Sequence, residues 1–200
     1  THRNESLRLS FRLSLDRLPA GDLEAFEWLG VLPEDAVLVP AAAAVLWDRP
    51  EGEARRLLRR LRDLALLKGG DGEGYTVHDL LHDEARLRLA VRLPLPEAHG
   101  ALLARYRQRT RDGLWHTLPE DGYIHAHLAW HLVEAGQEAE LHTLLREESA
   151  EGRNGWVEAG IATAPIAEQA PASEAQIATV DIPIPTPEAQ PTTPAIAPVP

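Results

Sequence analysis

Cysteine is absent from the 200 residues, which excludes a disulfide scaffold, a thiolate metal site and a cysteine nucleophile. That lack fits a reducing, cytoplasmic setting. No run of about eighteen apolar residues occurs, so neither a membrane span nor a membrane partner is expected. A signal pattern is missing too. Thr1-His2-Arg3-Asn4-Glu5 has no basic-then-apolar order and no initiator methionine, and the chain reads as cut from something longer. Positive charge is in short supply. The formal net charge of −11 sets up a field that repels phosphate and argues against nucleic acid or an anionic membrane as a general partner.

What remains is ordinary globular material, since a hydrophobic fraction of 44% is enough for one or two packed cores at this length. From about Ile161 the composition changes. Nine of the sixteen prolines fall there, Lys and Arg disappear, and no periodicity survives. Prolines at 183, 185, 187, 191, 194, 198 and 200 remove backbone donors and push their neighbours toward extended conformations. Residues 161–200 are therefore expected to be a disordered or semi-extended tail.

Residues 1–160 read as mainly α-helical. Leu23, Phe26, Trp28 and Leu29 form an apolar side in a helix opened at Gly21-Asp22 and ended near Gly30 to Pro33. Pro40 and Pro50 precede apolar runs at Ala41 to Trp47 and Ala54 to Leu67, each placed where a first-turn proline is tolerated. Two β-capable runs, Leu66-Leu67-Lys68 and Tyr75-Thr76-Val77, then flank the turn-rich segment Gly69 to Gly74. Three helices followed by a hairpin is the order of a winged helix. That glycine run holds two acids and lacks the Lys-Ser/Thr that a phosphate loop needs, so it reads as a wing tip. Further helices are expected at His78 to Val91, Glu97 to Asp112, Gly122 to Ala135 and Gln137 to Glu148, with Gly136 as a stop. The resulting division is a winged-helix domain over 1–92, including a lead-in segment, and a helical bundle domain over 93–160. Within the lead-in, Leu7, Leu9, Phe11, Leu13 and Leu15 alternate like a strand, while Leu7, Phe11, Leu15 and Leu18 also fit a helical face.

The run Phe26-Glu27-Trp28-Leu29-Gly30-Val31-Leu32-Pro33-Glu34-Asp35, then Val39-Pro40, Leu46-Trp47, a leucine-rich helix and Tyr75-Thr76-Val77-His78-Asp79-Leu80-Leu81 resembles the winged-helix domain of NB-ARC (STAND) signalling ATPases of the apoptotic protease-activating factor type. Trp115 to Tyr123 and His127 to Gly136 are similar to the helical domain that follows it in that family. The likeness covers about residues 5 to 158, and it is what favours a helix over a strand in the lead-in. Val77-His78-Asp79 matches the family's Met-His-Asp signature. The resemblance implies that His78 senses the β-phosphate of ADP and holds a closed, inactive state, with Asp79 in support. An imidazole suits this role because its N–H donates to phosphate oxygen, adding affinity to one state over another. No Gly-x-x-x-x-Gly-Lys-Ser/Thr occurs, so the chain itself is expected to be no enzyme. ADP or ATP with magnesium would belong to the parent protein. The implied partners are nucleotide-binding and sensor domains within that parent, with homo-oligomerisation on activation.

Three other constellations compete for attention. His78 and His82 lie four apart beside Asp79 and Asp83, a spacing open to metals, yet the sequence places no further ligand and a solvated helix face is the plainer reading, so no metal is expected. Asp79 suits a helix N-terminus in any case. His125, His127 and His131 lack the adjacent glutamate of a zinc protease and interleave with Trp115, Tyr123, Leu128 and Trp130, as a packing surface would. The alternative function rests on Arg55, Arg56, Arg59, Arg60 and Arg62. They occupy the third helix, where a DNA-binding winged helix carries its recognition face.

Overall fold

Proline marks the helix starts of the N-terminal half because its missing N–H costs nothing there. The computed structural model describes residues 14–163, so the alternating segment before residue 14 and the tail from 164 onward lie outside the described residues. Helix α1 (Ala20–Trp28) follows Pro19 and continues into a 3-10 turn, Leu29–Val31. Pro40 opens α2 (Pro40–Leu46), and α3 (Glu51–Asp63) follows Pro50.

The third helix shows how its sequence dictates its seat. Ala54, Leu57, Leu58 and Leu61 recur at helical spacing and are buried, with arginines between them facing outward. Glu51 and Glu53 sit in the first turn and Arg60 and Arg62 in the last, the arrangement the helix dipole favours. Arg60 also pairs with the buried Asp22 of α1, and the Trp47 indole donates to the Ala25 carbonyl at 2.8 Å. These two polar ties hold the three helices around a core that includes Phe26, Leu29, Leu46 and Leu58.

Strands β1 (Leu67–Gly70) and β2 (Gly74–Val77) form an antiparallel hairpin in which Leu67 faces Val77 and Gly69 faces Tyr75. The strands thus run into the glycine segment from both ends, further than β-propensity suggested. Leu38 adds a bridge that was not expected. Its N–H donates to Tyr75 O at 2.8 Å and its carbonyl accepts from Tyr75 N–H at 2.9 Å, which ties the loop before α2 to the wing.

After the wing, α4 (Asp79–Arg92) packs on α1 and on the 3-10 turn. The crossing is so close that a Cβ on Gly30 would stand 2.4 Å from both the N and Cα of Arg86. Only glycine permits that approach. Leu93-Pro94 separates α4 from α5 (Leu95–Arg107), which starts two residues before the expected Glu97 because Pro96 is tolerated in the first turn. A 3-10 turn (Trp115–Thr117), α6 (Ile124–Glu134), α7 (Glu138–Leu144) and α8 (Gly155–Thr163) complete the described residues. Gly136, at φ 67°, ends the middle helix as expected, in the left-handed conformation of a C-terminal stop. The last helix crosses the expected start of the tail at 161.

Both halves lie in one compact unit. Helix α5 joins them, packing on α2 as well as on α6. From it, Arg105 donates to the Leu46 carbonyl at the end of α2 and stacks over Trp28 at 4.3 Å. Burial lowers the pKa of this guanidinium, and the nearby Asp48 and Glu24 carboxylates work against that shift. Among the described residues, no helix is long and apolar enough to cross a membrane.

Candidate functional site

His78 ends the wing and begins α4. Its backbone is extended, at φ −75° and ψ 139°, and its carbonyl accepts the N–H groups of Leu81 and His82 as the first bonds of the helix. The side chain makes no capping hydrogen bond and is half-buried. Asp79 is the first helical residue and is exposed, where its negative charge complements the helix N-terminus.

A shallow, open depression lies beside this junction, lined by the loop Leu32 to Ala36 together with Val77, Asp79 and His82. His78 is not among its walls. His82, one turn on, is buried at 5% exposure, and its Nε2 lies 2.9 Å from the Leu32 carbonyl. A carbonyl only accepts, so Nε2 carries the hydrogen, and in the neutral ring Nδ1 keeps the lone pair. Glu34 from the loop and Asp83 from the helix bring carboxylate oxygens to within 4.8 Å of a His82 ring nitrogen and of each other. Of the four residues that the spacing grouped, the fold therefore brings His82 and Asp83 together with Glu34. His78 and Asp79 are left out of that cluster. Glu34 was missed because nothing local marks it, whereas its neighbour Leu32 reaches His82 across 50 positions of sequence.

The arginines of α3 are largely engaged. Arg55 pairs with Glu51, Arg59 with Asp71 at the wing, Arg60 with Asp22 and Arg62 with Asp63. Arg59 and the Tyr75 hydroxyl hold the Asp71 carboxyl down at about 2. Arg56 has no ion pair among the described residues. A face so internally neutralised presents little of the uncompensated charge that phosphate binding draws on.

The histidines of α6 pack, as their aromatic neighbours suggested. His125 stacks on Trp156 at 5.2 Å, and His127 lies against Tyr123 at 4.5 Å. His131 is fully buried, with Nε2 2.7 Å from the Tyr123 hydroxyl and Nδ1 2.8 Å from Nδ1 of His99 on α5. One proton assignment leaves the fewest orphans. The tyrosine donates to His131 Nε2, His131 Nδ1–H donates to His99 Nδ1, and only His99 Nε2–H then lacks a partner among the described residues. Burial lowers His99 to about 4 and His131 to about 3, the second also because His99 stands beside it, so both are neutral at pH 7. Nearby, Asp121 accepts from the Tyr106 hydroxyl at 2.6 Å and from the N–H groups of Tyr123 and Ile124, capping the entry to α6.

Glu147 forms another buried carboxylate site. It accepts from the N–H groups of Trp115 and His116 and from the His116 ring, all at 2.9–3.0 Å. This is a structural clasp closing the 3-10 turn onto the segment after α7. No family model matches the chain, and no curated protein matches it.

Proposed function

We propose that the chain is a regulatory module: its winged helix presents His78 to the phosphate of a nucleotide held by an adjoining nucleotide-binding domain, and its helical half transmits the resulting change of state. The observation that carries this reading is the position of His78 at the joint between wing and helix. An extended residue placed just ahead of a helix N-terminus suits a donor directed at phosphate, since amides and dipole there favour anions. The motif Val77-His78-Asp79 and its resemblance to NB-ARC proteins supply the nucleotide's identity as ADP. Glu34, Asp35 and Asp79 make the neighbouring depression a poor seat for phosphate, so in this reading the nucleotide stays in the partner domain and His78 reaches toward it.

The helical half supports the role of a rigid arm. Arg105 and the packing of α5 on α2 couple it to the winged helix, so displacement of one half carries the other. The test is His78→Ala in a protein that includes the nucleotide-binding domain, with retained ADP and oligomeric state as readouts. We expect ADP loss to accelerate roughly tenfold or more, the worth of one hydrogen bond to a charged group, together with a shift toward the oligomer. Unchanged retention and assembly would sink the sensor role.

A further inference from the structure

We propose that Glu34, His82 and Asp83 form a binding site for a divalent transition-metal ion of the zinc class, joining the loop after the first 3-10 turn to α4. This inference is independent of the phosphate-sensing reading.

Three features converge on it. First, one ligand atom from each residue lies within 4.8 Å of the other two. Bonds of about 2.0–2.2 Å to a common ion need separations of about 3.3 Å. Glu34 and Asp83 are exposed, so rotation of their side chains supplies the closure, while His82 is held still. Second, His82 has the hydrogen-bond pattern of a metal-binding imidazole, with one ring nitrogen given to a backbone carbonyl. Its Nε2–H is given to the Leu32 carbonyl, which fixes the tautomer and leaves the Nδ1 lone pair for a ligand. A packing histidine of the His131 kind has both nitrogens engaged by side chains.

Third, the two carboxylates have no cationic partner among the described residues. Nearby arginines on the same helix are engaged elsewhere: Arg86 with Glu134, Arg88 with Glu84, and Arg92 with Glu24 and Glu27. Asp35 and Asp79 add further negative charge along the adjoining depression. A divalent cation relieves this repulsion. Borderline imidazole with two carboxylates suits Zn²⁺, Co²⁺ or Mn²⁺ better than Ca²⁺ or Mg²⁺, which call for all-oxygen ligands. Both carboxylate residues are exposed, so solvent water can complete the coordination shell.

The test uses the full, untagged chain freed of metal and titrated with Zn²⁺ against a chromophoric chelator. Co²⁺ absorption provides a second view of the ligand set. We expect one site of highest affinity, weakened by at least about tenfold in each of Glu34→Gln and Asp83→Asn, since loss of a ligand should cost no less than loss of the group that orients one. His125→Ala should leave it intact. Because His82 is buried, the two exposed carboxylate variants carry the decision even where His82→Gln fails to fold. Absence of a stoichiometric site, or less than tenfold weakening in either carboxylate variant, overturns the proposal.

Discussion

His99 and His131 are wholly enclosed in the helical half, bonded to each other and, through His131, to Tyr123, whereas His82 at the wing–helix junction is buried beside two exposed carboxylates that have no counter-ion among the described residues. The first arrangement uses its hydrogen-bonding capacity internally at every ring nitrogen but His99 Nε2, which is itself buried. Neutral rings there join α5 to α6, and the low dielectric that strengthens those bonds penalises any added charge. The second arrangement keeps two negative charges in reach of solvent beside a buried imidazole. His82 itself ties α4 to the Leu32 carbonyl, while the two carboxylates retain the capacity to take up a ligand. Similar residue types thus become scaffold or site according to how completely their polar atoms are used within the chain.

Acid should break the comparison most visibly. The unfolded chain has ordinary histidines near 6.5, whereas the folded chain holds His99 at about 4 and His131 at about 3. Protons therefore bind preferentially to the unfolded state as pH falls, so the stabilisation is complete above pH 6.5 and is lost toward pH 4. At about 1.4 kcal/mol per unit, each ring contributes roughly 2.5 kcal/mol over this range, so we expect about 5 kcal/mol less stability at pH 4.5 than at pH 7. Urea denaturation at the two values provides the measurement, and equal stabilities would refute the neutral buried pair. Asp71 does not confuse this window. Its carboxyl is depressed from 3.8 to about 2, so its own contribution fades only at lower pH.

A smaller effect is expected from Asp121→Asn, which weakens the bonds to Tyr106, Tyr123 and Ile124 without emptying the core. Loss of charge-assisted bonds suggests about 2 kcal/mol of destabilisation in the same urea assay. A change below about 0.5 kcal/mol, the level of an ordinary surface substitution, would show that the cap is dispensable. Smallest of all should be Glu34→Gln in metal-free protein. Exposed and without an ion pair among the described residues, Glu34 should shift stability by no more than about 0.5 kcal/mol in either direction. A larger loss would mean that the junction is scaffold after all, and that its contrast with the buried histidines fails.

Much of the architecture was legible because it is written in local periodicity. The stripe Ala54, Leu57, Leu58, Leu61 specifies the buried face of α3, and the runs flanking Gly69 to Gly74 specify a hairpin, whatever surrounds them. Helix ends were less secure. The α7 helix stops at Leu144, short of the expected Glu148, and Glu147 beyond it turns back to hold the backbone of Trp115 and His116. A long-range hydrogen bond there outweighs the local preference to continue the helix. The strand bridge at Leu38 escaped for the same reason, as its partner Tyr75 is distant in sequence.

By itself the sequence determined the mainly helical class, the wing, the glycine stop at 136 and the presence of His78 at a helix start, because each depends on residues within a few positions of one another. Only the tertiary structure decided which histidines are spent. It enclosed His131 with His99, separated His82 from the His78 pair that the spacing suggested, and delivered Glu34 from a loop far along the chain. Spacing along a helix says which side chains share a face. What stands opposite that face is settled by packing between distant segments, and that decides whether an imidazole supports the core or faces a ligand.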